Sequence, residues 1–244
     1  MELILVPVLT TLFTFGGLLT GGIIGIVAKQ AALEKMYSLY ALCGGILVGL
    51  LGFELIPETF AGPHLVGPIL GVIFGVLCMQ LVDQLLHDSA KKQYTQKAWS
   101  SFLFLAIAIC IHNLPTGMAI GTAFSYEQDT GISFLLVMIF HHIPEGLALI
   151  IPFLFTEEKL HLFLQTILFL SLILGLGTFL GTTVQPTHKL QTFILGSAIG
   201  MISYVVVHEM LWKAKQKLST HSFVFLVSLG IGIVLLYIRY FIPH

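Results

Sequence analysis

Two short stretches of the chain carry the side chains best equipped for chemistry. One reads His112-Asn113-Leu114-Pro115-Thr116-Gly117-Met118-Ala119, the other His141-His142-Ile143-Pro144-Glu145-Gly146-Leu147-Ala148. Set 29 positions apart they are one motif written twice: His, polar, branched apolar, Pro, polar, Gly, apolar, Ala. Residues four apart share a helix face, so His112 stacks with Thr116 and His141 with Glu145, while His142 lies three before Glu145. Proline has no N–H, so Pro115 cannot bond the carbonyl of Ile111, nor Pro144 that of Phe140. Each helix should kink there and leave a carbonyl free beside its histidine. Three imidazoles and a carboxylate suit a borderline divalent cation such as Zn, Fe, Ni or Cu, the carboxylate supplying charge balance. A lone histidine on an apolar helix is more often a satisfied core residue; a duplicated cluster points to a metal site.

The elements that hold these motifs follow from composition. Of 244 residues only 9% are charged, with 57% apolar, where soluble domains carry about 25% and roughly 45–50%. So few charges could not keep a globule dissolved, and they sit in short clusters between long uncharged runs. A net charge of -1 with no basic block excludes a nucleic-acid binder. About 20 apolar residues cross a bilayer, so the chain reads as an all-α integral membrane protein of eight transmembrane helices. The spans fall near 3–28, 36–57, 64–86, 98–123, 130–155, 160–184, 190–212 and 222–242. Short loops make neighbours antiparallel, and no linker divides residues 1–244 into more than one domain. No basic region precedes the first apolar run, so it reads as a retained helix. Cys43, Cys78 and Cys110 form no CxxC pair and read as small core residues. Glycines four apart, such as Gly21/Gly25 and Gly177/Gly181, read as close helix contacts in lipid.

Lysine placement sets the orientation, because cytoplasmic loops hold the excess of basic residues. The loops after helices one, three, five and seven hold Lys29, Lys35, Lys91, Lys92, Lys97, Lys159, Lys213, Lys215 and Lys217. The other side holds Lys189 and Arg239. Both termini are therefore expected outside, which requires an even number of spans. On these boundaries His112 lies 14 residues into its helix from Ala98 and His141 lies 11 from Thr130, so both reach the middle of the membrane. An ionisable group at that depth costs at least about 2.5–3.5 kcal/mol, which marks each as functional by default. Kinked helices with polar groups at mid-depth are how transporters build substrate sites.

A second tier of polar residues lies nearer the helix ends. Glu54 and Glu58 are four apart at the outer end of helix two; Asp83, His87 and Asp88 sit at the inner end of helix three; His208-Glu209 sits at the inner end of helix seven. Interfacial anchoring is one reading of these. The other is an entrance and an exit, acidic and His-lined, above and below the central cluster.

With HNLPTG in helix four, HHIPEG in helix five, FELIPE closing helix two and VHE in helix seven, in that order, the chain resembles the ZIP (Zrt/Irt-like protein) family of divalent-metal transporters, and within it the GufA-like group. The resemblance implies eight helices with both termini outside, residence in the cell membrane, and uptake of zinc or a related ion into the cytoplasm, often as a homodimer. No organic cofactor is implied. Relatives of this kind commonly hold two metals with His, Asn and Glu from helix four, a polar residue or acid plus Glu from helix five, and a Glu from helix six. Here His112, Asn113 and Glu145 match. Thr116 stands in place of the helix-four Glu, His142 in a position often acidic or amide, and His141 where a weaker ligand is common. No acid occurs between Glu158 and Glu209. With carboxylates lost and imidazoles gained, one metal is expected, held by His112, Glu145 and at least one of His141 and His142, with Asn113 and Thr116 contributing weakly or through water.

Two other functions fit parts of the pattern. An intramembrane metalloprotease needs HExxH, yet His208-Glu209 continues Met210-Leu211-Trp212 with no second histidine. A haem-binding electron carrier could use His112 with His141 or His142 as axial ligands, but paired prolines and a glutamate beside those ligands suit it poorly. A Soret band in purified protein would mean haem; a colourless protein with stoichiometric zinc would mean the transporter.

Overall fold

In hydrocarbon every backbone N–H and C=O must find a partner within the protein, and a helix satisfies them inside one segment. The computed structural model, which describes residues 2–29, 33–62, 64–87, 94–126, 128–184 and 187–241, is accordingly helical, with no strand among the described residues. Helix α1 spans Glu2–Lys29. Helix α2 starts as Leu33–Leu50, widens into a π turn at Leu51–Leu55 and resumes over Ile56–Phe60. Then come α3 (Val66–His87), α4 (Tyr94–Tyr126), α5 (Gln128–Phe153) and α6 (Leu160–Val184). Helix α7 runs His188–Val205, passes through a π turn at Val206–Leu211 and ends as Trp212–Lys215; α8 is Thr220–Phe241. Among the described residues, seven of these, α1–α4 and α6–α8, are long and apolar enough to cross a membrane by length and composition. Most side chains in the first half of α5 lie outside the described set, as do those of Glu58 and His87.

The outermost helices show what they face. Along α3, Ile69, Ile73, Leu77, Leu81 and Leu85 recur every fourth residue and are exposed, forming one apolar stripe that would meet lipid. Helix α4 is the most buried of the seven spans and α8 the least, so the motif-bearing helix sits at the centre. Hydroxyls inside the helices turn back on their own backbone: Thr10 donates to the carbonyl of Val6, Ser171 to that of Ile167 and Thr178 to that of Leu174, which satisfies a buried polar group locally.

Glycine sets the helix pairing. A Cβ added to Gly146 would lie 2.2 Å from the carbonyl oxygen of Leu18, and one on Gly21 would lie 2.1 Å from that of Ile143. Gly117 meets the carbonyl of Leu174 and Gly177 that of Leu114 at the same closeness. Since Gly117 and Gly146, and Leu114 and Ile143, are equivalent positions of the two motif copies, α6 grips α4 as α1 grips α5. The correspondence extends outward. Helix α2 packs on α8 where Gly45 meets Val227, and α7 packs on α3 where Gly200 meets Val72. Gly45 and Gly200 are 155 positions apart, as are Glu54 and Glu209 within the two π turns. The chain is thus an inverted repeat, α1–α3 against α6–α8, with α4 and α5 as the exchanged centre, an arrangement that places binding sites at the repeat interface.

Candidate metal centre

Helices α4 and α5 pass unbroken through Pro115 and Pro144, and the close backbone contacts at Gly117 and Gly146 fix the turn on which each motif residue sits. His112, His141, His142 and Glu145 converge there, each at most 4% exposed. Nε2 of His112 and Nε2 of His141 both lie 2.9 Å from Oε1 of Glu145, and Nδ1 of His142 lies 3.1 Å from Oε2. These approaches lack hydrogen-bond alignment. Nε2 of His112, both ring nitrogens of His141 and His142, and Oε2 of Glu145 are buried without a hydrogen-bond partner.

The second contact of His112 explains what the cluster wants. Its Nδ1 lies 2.9 Å from the carbonyl oxygen of Ala108, which can only accept, so the ring proton is committed to that side and the Nε2 lone pair faces the carboxylate. Two electron-rich atoms at 2.9 Å need a positive centre between them, a second proton or a metal. Ligands about 2.0–2.1 Å from a tetrahedral zinc stand roughly 3.3 Å apart, so the two nitrogen–carboxylate pairs at 2.9 Å need to open by only a few tenths of an ångström. His112, His141 and Glu145 each offer an atom within 4.8 Å of the others, and His142 reaches the same carboxylate.

The other motif residues are turned elsewhere. Asn113 donates its amide N–H to the carbonyl of Leu170 on α6 at 3.1 Å, tying α4 to α6, while its Oδ1 is buried without a partner. The Thr116 hydroxyl donates to the carbonyl of His112 at 2.8 Å. Glu54 sits in the π turn of α2, close enough to act electrostatically on Tyr237 of α8, and belongs to neither ligand cluster among the described residues.

A second cluster forms at the lysine-rich end. Asp83 from α3 and His208 and Glu209 from the π turn of α7 bring three ligand atoms within 4.8 Å of one another. His208 Nδ1 lies 3.8 Å from Oδ2 of Asp83 and 3.8 Å from Oε1 of Glu209. Tyr204 stacks on the His208 ring at 5.3 Å between centroids and donates its hydroxyl to Asp83 at 2.9 Å. His208 and Glu209 both lie in the widened π turn of α7, His208 exposed and Glu209 buried, and Asp83 reaches them from α3. Lys213 pairs with Glu209 and donates to the Ser101 hydroxyl of α4 at 3.0 Å. Hydropathy gives no sign of the π turns; the Glu209/Lys213 spacing of four is the one sequence signal of that ion pair.

Between the clusters lies a cavity of about 20 Å³, room for about one water. His112 and Glu145 line one side, and Leu105, Ile109, Ile202, Val206 and Met210 close the rest. Phe102, Phe153 and Phe163 meet in series as tilted rings at 5.0 and 5.6 Å between centroids, across α4, α5 and α6.

Residues 82–238, well over half the chain, match the family model described as ZIP zinc transporter. The chain belongs to the ZIP zinc transporter family. No curated protein matches it. The ZIP match runs from the end of α3 into α8 and so includes both histidine clusters. ZIP proteins are membrane transporters of divalent metals rather than enzymes, which makes a divalent cation the cargo and accounts for buried imidazoles and carboxylates on apolar helices.

Proposed function

We propose that this ZIP protein carries zinc across the cell membrane into the cytoplasm through a single-metal site made by His112, His141, His142 and Glu145, with Asn113 and Thr116 acting weakly or through water. The observation that carries this reading is the convergence of three imidazoles on one buried carboxylate, with ring nitrogens left unpartnered. Eight spans with both termini outside agree with the nine-to-two lysine asymmetry, and residues 1–244 act as one transport domain, often paired as a homodimer in this family. Glu54 and Glu58 would line the entrance and Asp83, His87, His208 and Glu209 the exit. Zinc uptake by proteoliposomes across a panel of divalent ions, with His112→Ala as control, tests the reading; uptake unaffected by that substitution would remove it.

One metal rather than two follows from charge. Two divalent ions about 4 Å apart repel by roughly 16 kcal/mol at an effective dielectric constant near 20, and paired metals rely on bridging anions. Glu145 is the one carboxylate in the central cluster among the described residues. Thr116→Glu adds a second on the face shared with His112. It should tighten zinc binding by about tenfold or more, the equivalent of roughly 1.4 kcal/mol, and slow release; equilibrium dialysis showing no gain contradicts the argument.

Metal must also displace protons from imidazole, whose ordinary pKa is about 6.5. Affinity should therefore hold above that pH and fall as pH drops through it. An apparent affinity that stays flat between about pH 7.5 and 5.5 would mean the histidines are not ligands.

A further inference from the structure

Lys213 lies among the basic residues of the lysine-rich end, yet its ammonium points back into the bundle. It pairs with Glu209, which is 2% exposed, and donates to Ser101 on α4. Through Glu209 it joins the cluster of Asp83 and His208. A cation is thus already seated on the carboxylate that a metal leaving the central cavity would meet next, since Met210 and Val206 of the same π turn line that cavity.

We propose that Lys213 is a tethered counter-cation of the lower cluster: its ammonium neutralises Glu209 when no metal is there, gives way when a divalent ion reaches Asp83, His208 and Glu209, and returns to expel it. Three properties fit this role. A lysine ammonium is a compact point charge on a flexible stem, able to leave one carboxylate without breaking a planar fork of bonds. The Lys213 side chain is about one third exposed, so it has a path to water, and the stem can lie along the apolar surface while the charge moves. Metal and ammonium both need Glu209, so like-charge repulsion at that distance makes their occupancy exclusive. The cluster then holds metal briefly, as an exit must, and the central cavity is shielded from cytoplasmic metal when the transporter is idle. The proposal rests on the transport reading above and deepens it.

The test uses purified full-length protein in detergent and zinc alone. Lys213→Met keeps most of the unbranched side chain and removes the charge; it should tighten a second zinc site by about tenfold or more relative to the parent. Lys213→Arg, which keeps a cation on Glu209, should leave that site as weak as in the parent. The gain should disappear in Lys213→Met combined with His208→Ala, which assigns it to the lower cluster. In proteoliposomes Lys213→Met should lower both KM and kcat, because zinc is held but released slowly, whereas a lysine that merely ties α7 to α4 would cost stability without raising affinity. An isotherm for Lys213→Met equal to or weaker than the parent's in monodisperse protein overturns the proposal, as does a gain that survives His208→Ala. Failure of the transport reading is separate: it shows as uptake that persists in Glu145→Ala, whatever the isotherms give.

Discussion

Glu145→Ala should bring transport close to zero. The carboxylate lies within 3.1 Å of three histidines and supplies the one negative charge of the central cluster among the described residues. Removing it leaves a divalent ion facing neutral imidazoles in a water-poor setting and leaves His112 and His141 without the group that draws their nitrogens together. Removing an outer partner of a metal site typically costs 10–100-fold; a direct ligand that also balances charge should cost more than about 100-fold in uptake rate. Glu145→Gln keeps the shape and one acceptor oxygen, so a comparable loss there would assign the effect to charge. Glu58→Ala, near the end of α2, should retain most of the activity. Wild-type uptake by Glu145→Ala would end the central-site account.

Gly146→Val should break the bundle where it holds that carboxylate. The added Cβ would stand 2.2 Å from the carbonyl oxygen of Leu18, so α1 and α5 must separate by more than 1 Å, and the backbone on which Glu145 sits moves with them. Overpacking of this kind costs about 1–3 kcal/mol and can exceed it when the obstacle is backbone. The expected result is a clear fall in thermal stability in detergent together with loss of uptake. Gly232→Ala on α8 is the control, because a Cβ there meets nothing within 4 Å; it should change neither. Equal stability of Gly146→Val and Gly232→Ala would contradict the packing described for α1 and α5.

The long helices and the paired motifs are legible in the sequence for physical reasons: hydrocarbon demands uninterrupted apolar runs, and an ionisable group in such a run needs a cause. The glycines are legible for the same reason, and each small-residue contact at Gly21, Gly117 and Gly177 meets a facing carbonyl. Other features depend on contacts far apart in the chain. Asn113 sits in the motif beside His112, but its amide is drawn to Leu170, 57 residues away, by packing of α4 on α6 that no local pattern encodes. The π turns of α2 and α7 leave the hydropathy of their helices unchanged, so their positions stay hidden, as does the meeting of His208 and Glu209 with Asp83 of α3. Lys213 counts as a loop cation in any tally of charge, and its inward turn to Glu209 depends on Ser101 across the bundle.

The most direct measurement is the zinc K-edge absorption spectrum of the purified, zinc-loaded protein together with its metal content per chain. The account predicts one tightly held zinc, four-coordinate, with at least two imidazole nitrogens at about 2.0–2.1 Å and a carboxylate oxygen, and loss of that imidazole signature in His112→Ala. A first shell of oxygen alone, or two zincs of similar affinity in the wild type, would contradict it.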